Sequence, residues 1–157
     1  MDPFSIALGG ITICKVAGKI IQFGIAYGQA VGAVPEEVEL LVSEITLLNG
    51  VFVALCSSLE ARKRGTTATA IGDSLTETVR ECHCKLEELY AFLVKQQDAS
   101  GSRLRKLGRT LKWPLREQDT RDWIARMERY KSTFSLAMQQ ENRQVIPHST
   151  TQGCIQD

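Results

Sequence analysis

Four long stretches of helical periodicity run along the chain, separated by short polar breaks, and none shows the strict alternation of a strand. The first extends from about Pro3 to Gly32. Its polar residues Ser5, Thr12, Lys15, Lys19, Gln22 and Gln29 are spaced 7, 3, 4, 3 and 7, so they stack as one narrow stripe along a helix. Nearly everything else in it is apolar or glycine. The pattern predicts a helix wet along one thin edge and dry on the rest, which best fits the most enclosed position among its neighbours.

The second helix is predicted to start at Pro35, whose missing amide donor costs nothing at the first helical position. Glu36, Glu37 and Glu39 complement the positive end of its dipole. Val38, Leu41, Ile45, Leu48, Phe52, Leu55 and Leu59 repeat at spacings of 3 and 4, and Gly65 is a stop signal. "GTTATAIG" reads as a loop. The third helix opens on Ser74 and Glu77, a capping-box pair, and carries Leu75, Val79, Cys82, Leu86, Leu89 and Phe92/Leu93 on one face. "DASG" is its predicted end. "SRLRKLGRTLKWP" is a basic connector, read as a short extra helix closed by Pro114. The fourth helix takes "LREQDTRDWIARMERYKSTFSLAMQQ", with Trp123, Met127, Tyr130, Phe134 and Ala137 on one face. Stripes of this kind, each backed by a charged reverse face, predict an all-α fold. The expected architecture is an antiparallel four-helix bundle over 1–140, about 35–45 Å long at 1.5 Å per residue. A polar tail or linker follows over 141–157.

At 157 residues the chain is expected to form one domain, and its net charge of +1 argues against a polyanion binder. The charge is uneven: residues 36–60 hold five acids and no base, while 103–116 hold six bases and no acid. The five cysteines are an odd number, and four fall within helical patterns, which reads as reduced thiols in a reducing compartment. A secretion signal is not expected, because Asp2 replaces a basic leader and Lys15 and Lys19 interrupt the apolar run. Those lysines also argue against a permanent membrane span, and position 2 is not the glycine that myristoylation needs.

Catalytic chemistry is hard to place, and no catalytic, cofactor or metal residue is assigned. The two histidines, His83 and His148, lie in mid-helix and in the polar tail. In "CHC" at 82–84, Cys82 falls on the core stripe and Cys84 points away, and no second cluster supplies further zinc ligands. Two other features stand out. Gly24, Gly28 and Gly32 repeat every four residues, a smooth face for close helix packing either in a soluble bundle or in lipid. The bases of the second helix end and of the connector are either a solvated surface or a contact for anionic lipid headgroups. They comprise Arg62, Lys63, Arg64, Arg103, Arg105, Lys106, Arg109 and Lys112. Nucleic acid is a poor fit to a single basic cluster.

The opening "MDPFSIALGGITI", the second-helix start "VPEEVELLVSEITLL" and the closing "LKWPLREQDTRDWIARMERYKSTFSLAM" resemble the N-terminal helical domains of fungal STAND (NLR-like) proteins. That group looks like the HeLo-like cell-death domains, themselves similar to the four-helix bundle of mixed-lineage kinase domain-like protein. The resemblance spans about residues 1–140. It implies a cytoplasmic, non-enzymatic domain that oligomerises on activation and targets or permeabilises membranes through its first helix. Phe4, Ile6, Leu8, Ile11, Lys15, Lys19, Gly24, Gly28 and Gly32 would then be the insertion and oligomerisation residues. The alternative is an adaptor that only binds another helical domain or an NLR-like sensor. Residues 4–34 are long enough to cross a hydrocarbon core of about 30 Å. Lys15 and Lys19 would cost about 2.5–3.5 kcal/mol each in lipid, so only several copies with the polar stripe turned to water could span.

Overall fold

The computed structural model describes residues 3–62, 72–104 and 113–143, with side chains over 10–61, 74–96, 113–140 and at 143. Four helices account for almost all of them: α1 (Pro3–Val31), α2 (Glu36–Arg62), α3 (Gly72–Leu104) and α4 (Glu117–Arg143). The all-α helical bundle read from the sequence is the observed fold class.

The helix ends follow from particular residues. At the end of α1, Gly32 takes φ +74°, and its amide donates to the Gly28 carbonyl at 3.1 Å. This left-handed cap is open to glycine at no steric cost. The Pro35 carbonyl accepts from the amides of Val38 (3.0 Å) and Glu39 (3.2 Å), so Pro35 caps α2 from just outside it. At α4 the Arg116 carbonyl accepts from both the amide (2.9 Å) and the hydroxyl (3.0 Å) of Thr120. The capping box expected at Ser74 and Glu77 is not what opens α3. That helix begins at Gly72, which puts Ser74 inside the first turn. There the Ser74 carbonyl accepts from the Thr78 hydroxyl, and Glu77 pairs with Arg80 at 2.6 Å. Nor does "DASG" end α3. A glycine costs a helix about 1 kcal/mol without breaking it, and α3 runs on to Leu104, taking in Arg103. The expected extra basic helix falls mostly on 105–112, outside the described residues.

Packing forms a ring. α2 lies against α1 and α4, α1 also lies against α3, and α3 approaches α4 more lightly. Gly10, Gly24 and Gly28 of α1 meet Phe52/Cys56, Val42 and Val34 in turn, so α1 and α2 run antiparallel. Leu41, Ile45, Leu48, Phe52 and Leu55 of α2 are fully buried, as the 3–4 spacing predicts. Phe52 meets Phe134 of α4 edge-on at 5.1 Å between ring centres, at the middle of the core. Leu93 rather than Phe92 completes the α3 stripe, Phe92 being exposed. At the rim of the core the Tyr130 hydroxyl donates to Glu81 at 2.7 Å, and Lys131 pairs with Glu44 at 2.7 Å.

The position of α1 corrects one expectation. It is not enclosed by the others but occupies a corner of the ring. Its polar stripe is at the surface at Thr12, Lys15, Lys19, Gln22 and Gln29, as read from the spacing. Ile11 (56% exposed) and Ile25 (52%) are exposed beside it. The physical reason is the two lysines: a central helix would have to take both charges out of water.

Candidate functional site

The seam between α1 and α2 holds most of the residues the sequence singled out. α1 presents Gly10, Ala17 and Gly24 along one line, seven residues apart, and α2 presents Val42, Asn49 and Cys56 along another, also seven apart. A β-carbon on Gly10 would lie 2.6 Å from both the Cys56 sulfur and the Phe52 ring. One on Gly28 would lie 2.6 Å from a Val34 methyl, and one on Gly24 would overlap a Val42 methyl. Glycine is therefore required at these places by close approach. Gly32 plays a different part from the one its spacing predicts. It lies past the helix end, with nothing near its α-carbon, and serves as the cap. Gly10 was not recognised as a packing glycine, although its fourteen-residue separation from Gly24 is two heptads and placed it on the same line.

The seam also holds a poorly solvated polar group. The Asn49 carboxamide oxygen is buried without a hydrogen-bond partner. Such a group costs about 1–3 kcal/mol relative to a satisfied one. It stands, by helical register, on the line of α2 that faces α1.

Where the seam opens, Gly10, Ile11, Cys14 and Lys15 of α1 and Val53, Cys56, Ser57 and Glu60 of α2 line a groove of about 440 Å³. Its thiols are poor nucleophiles. Burial, then the neighbouring Cys14 and Glu60, push Cys56 up to about 11, and burial raises Cys14. Burial also pushes Cys82 in the core up to about 12, so all three stay protonated at neutral pH. Cys84 is exposed, as its position two steps past the core cysteine predicts. Among the described residues no group of three or more His, Cys, Asp and Glu side chains gathers to hold a metal. His83 stands 3.4 Å from Glu87 on its own helix, and His148 and Cys154 lie outside the described residues.

At the other end of α1, Phe23 and Tyr27 pack edge-on against Trp113, at 6.0 and 5.1 Å between ring centres. The Trp113 indole donates to the Thr120 hydroxyl at 3.3 Å, and Thr120 is completely buried. This cluster ties the end of α1 to the start of α4. Midway along α1, the Lys19 ammonium sits 5.4 Å from the centre of the Tyr90 ring of α3.

Of the expected insertion residues, Ile11, Lys15, Lys19, Gly24 and Gly28 lie along α1 as described. The side chains of Phe4, Ile6 and Leu8 lie outside those described. The expected lipid-contact bases belong to the end of α2, the end of α3 and the connector. Arg62 closes α2 about 40 Å from its start, at 1.5 Å per residue. Trp113, where the chain emerges from the connector, lies beside the end of α1, next to that start. Lys63, Arg64, Arg105, Lys106, Arg109 and Lys112 fall outside the described residues, and no side-chain position is described for Arg62 or Arg103.

α2 holds a feature the sequence reading passed over. By length and composition alone it is long and apolar enough to cross a membrane over Glu36–Ala61, the one such helix among the described residues. Its outer face explains this, because Leu40 (48%) and Leu47 (51%) stand exposed opposite the core. No known protein family, no curated protein and no solved structure matches the chain.

Proposed function

We propose that this chain is a non-enzymatic signalling domain of the HeLo-like type, which induces cell death by oligomerising and inserting α1 into membranes. In this reading it is cytoplasmic at rest and binds anionic lipid once activated. One observation supports the proposal: α1 is a corner helix of the ring. It is seated on α2 through glycines and beside the unpartnered carboxamide oxygen of Asn49, and already exposes Ile11 and Ile25. Leaving the bundle uncovers Ile13, Val16 and Ile20, at about 1.5–3 kcal/mol each, which keeps the helix docked until lipid and further copies replace those contacts. In an assembly the Lys15–Lys19 edge faces water, and Gly24 and Gly28 pack against a neighbouring helix.

Ile25→Glu tests this. Ile25 is half exposed in the bundle, so the folded protein should melt within about two degrees of the original. A carboxylate in the lipid-buried part of α1 should cost about 2.5–3.5 kcal/mol, which lowers dye release from anionic vesicles by roughly 100-fold. Undiminished release by the variant would take α1 out of the mechanism. The exposed outer face of α2 favours a second reading, a soluble adaptor for another helical domain or an NLR-like sensor. It would be distinguished in the same assay by no release at all from the unaltered protein.

A further inference from the structure

Two thiols, Cys14 of α1 and Cys56 of α2, line the same groove from opposite helices. Gly10 fixes their spacing. A β-carbon on Gly10 would lie 2.6 Å from the Cys56 sulfur. Cys14 stands one turn further along α1, so its own β-carbon lies about 5–6 Å from that same point. Side chains of a helix lean toward its N-terminus. α1 and α2 run antiparallel, so Cys14 and Cys56 lean toward each other along the seam. Together these relations put the two sulfurs roughly 4–5 Å apart. The pair also interacts electrostatically, since Cys14 follows burial among the causes that raise the Cys56 thiol.

That spacing decides between two chemistries. A disulfide needs its sulfurs at about 2 Å and its α-carbons within about 7 Å. Cys14 and Cys56 differ in level by a helical turn, about 5–6 Å, which uses most of that reach before the gap between the helices is counted. An ion held in line between two sulfurs spans twice a metal–sulfur bond of about 2.3 Å, which matches the separation.

We propose that Cys14 and Cys56 form a two-coordinate site for a soft monovalent metal ion of the copper(I) class, which bridges α1 to α2. The donor set selects the ion. Zinc takes four ligands, and among the described residues no three His, Cys, Asp or Glu side chains gather to supply them. Magnesium and calcium need oxygen donors. Copper(I) favours thiolates and is satisfied by two. Both thiols release their protons to solvent as the ion binds, and protons held as firmly as these yield only to an ion that bonds strongly to sulfur. The bound pair then carries one negative charge. Lys15 lines the same groove and offsets it, and Glu60, one turn beyond Cys56, is the one acid on the groove wall. The inference goes beyond the proposed function and does not rest on it.

The experiment titrates the full chain with copper(I), kept reduced under nitrogen, against a chromogenic copper(I) chelator. Cys84→Ser and Cys154→Ser are introduced together, which removes the exposed thiol and the one outside the described residues. This chain should bind one ion. With the ion at about 100 times its dissociation constant it should melt roughly 5–10 °C higher. Adding Cys14→Ser or Cys56→Ser should weaken binding at least roughly 100-fold, because even the outer partners of a metal site are worth about 10–100-fold. Zinc should leave the melt unchanged. A second measurement needs no variant. Alkylation of the original protein with N-ethylmaleimide over hours should be blocked by copper(I) at Cys14 and Cys56. Trypsin separates the two, since Cys14 falls in the peptide ending at Lys15 and Cys56 in the one ending at Arg62. No binding by the chain that keeps both thiols, binding that survives Cys14→Ser, or alkylation of the pair that copper(I) does not slow would each overturn the proposal.

Discussion

Replacing Gly24 with leucine should lower the melting temperature by roughly 5–10 °C and make vesicle leakage begin at lower protein concentration. Two effects oppose each other. Glycine within a helix costs about 1 kcal/mol, so leucine gains about that much in α1 itself. Against this, the new β-carbon overlaps a Val42 methyl across the seam. Val42 is β-branched on a helix and has little freedom to turn away. Overpacking of this kind costs about 1–3 kcal/mol for small additions, and leucine adds four carbons, so the clash should win. For a chain of this length each kcal/mol moves the melting point by about 2–4 °C. Gly18→Ala is the matched control. A β-carbon there meets nothing within 4 Å, so only the propensity gain applies and the protein should become slightly more stable. Thermal melts of the two variants therefore shift in opposite directions. If both rise, the seam is looser than its glycines imply, and close packing against Val42 is not what seats α1.

Phe52→Ala should have the larger effect on stability, about 3–5 kcal/mol, with the melting point falling by roughly 10 °C or more. Phe52 is completely buried, meets Phe134 of α4 edge-on, and fills the space against which Gly10 of α1 packs. One side chain thus joins three helices, and removing it leaves a cavity at their common point. Chemical denaturation checks the number. A loss below about 1.5 kcal/mol would mean that the bundle repacks around the gap, as a loosely specified core can. The two variants differ in what they loosen. The glycine change acts on the seat of α1 alone, whereas the phenylalanine change should weaken the whole bundle.

The sequence disclosed faces better than neighbours. A spacing of 3 and 4 states which residues share a side of a helix. Leu41 to Leu55, Val79 to Leu93 and Met127 to Ala137 were all identifiable as core on that ground, and Lys15 and Lys19 as wet. Spacing does not state what lies across from a face. α1 could therefore be read as the most enclosed helix, when its two lysines in fact keep it at a corner. Gly24, Gly28 and Gly32 looked alike in the sequence. Two of them admit neighbouring valines, while Gly32 turns the chain at positive φ, and only the backbone separates the two roles. The outer stripe of α2 was present in the same 3–4 rhythm as its inner one. Its two leucines are diluted by Ser43, Gly50, Ala54 and Ser57, so the inner stripe looked sufficient, and only the ring arrangement left Leu40 and Leu47 without cover. The Ser74 capping box failed because the motif fixes a spacing and not a helix start.

The wedge of Trp113 between the end of α1 and the start of α4 gives the molecule its own optical gauge. Phe23 and Tyr27 shield the indole, and Thr120 accepts its hydrogen, so its emission should be blue while α1 is docked and shift to the red as water replaces those rings. The only other tryptophan, Trp123, sits on α4 with the Arg126 guanidinium 5.2 Å from its ring, and provides a steady background. The departure of α1 can thus be timed in the unlabelled protein, by light alone.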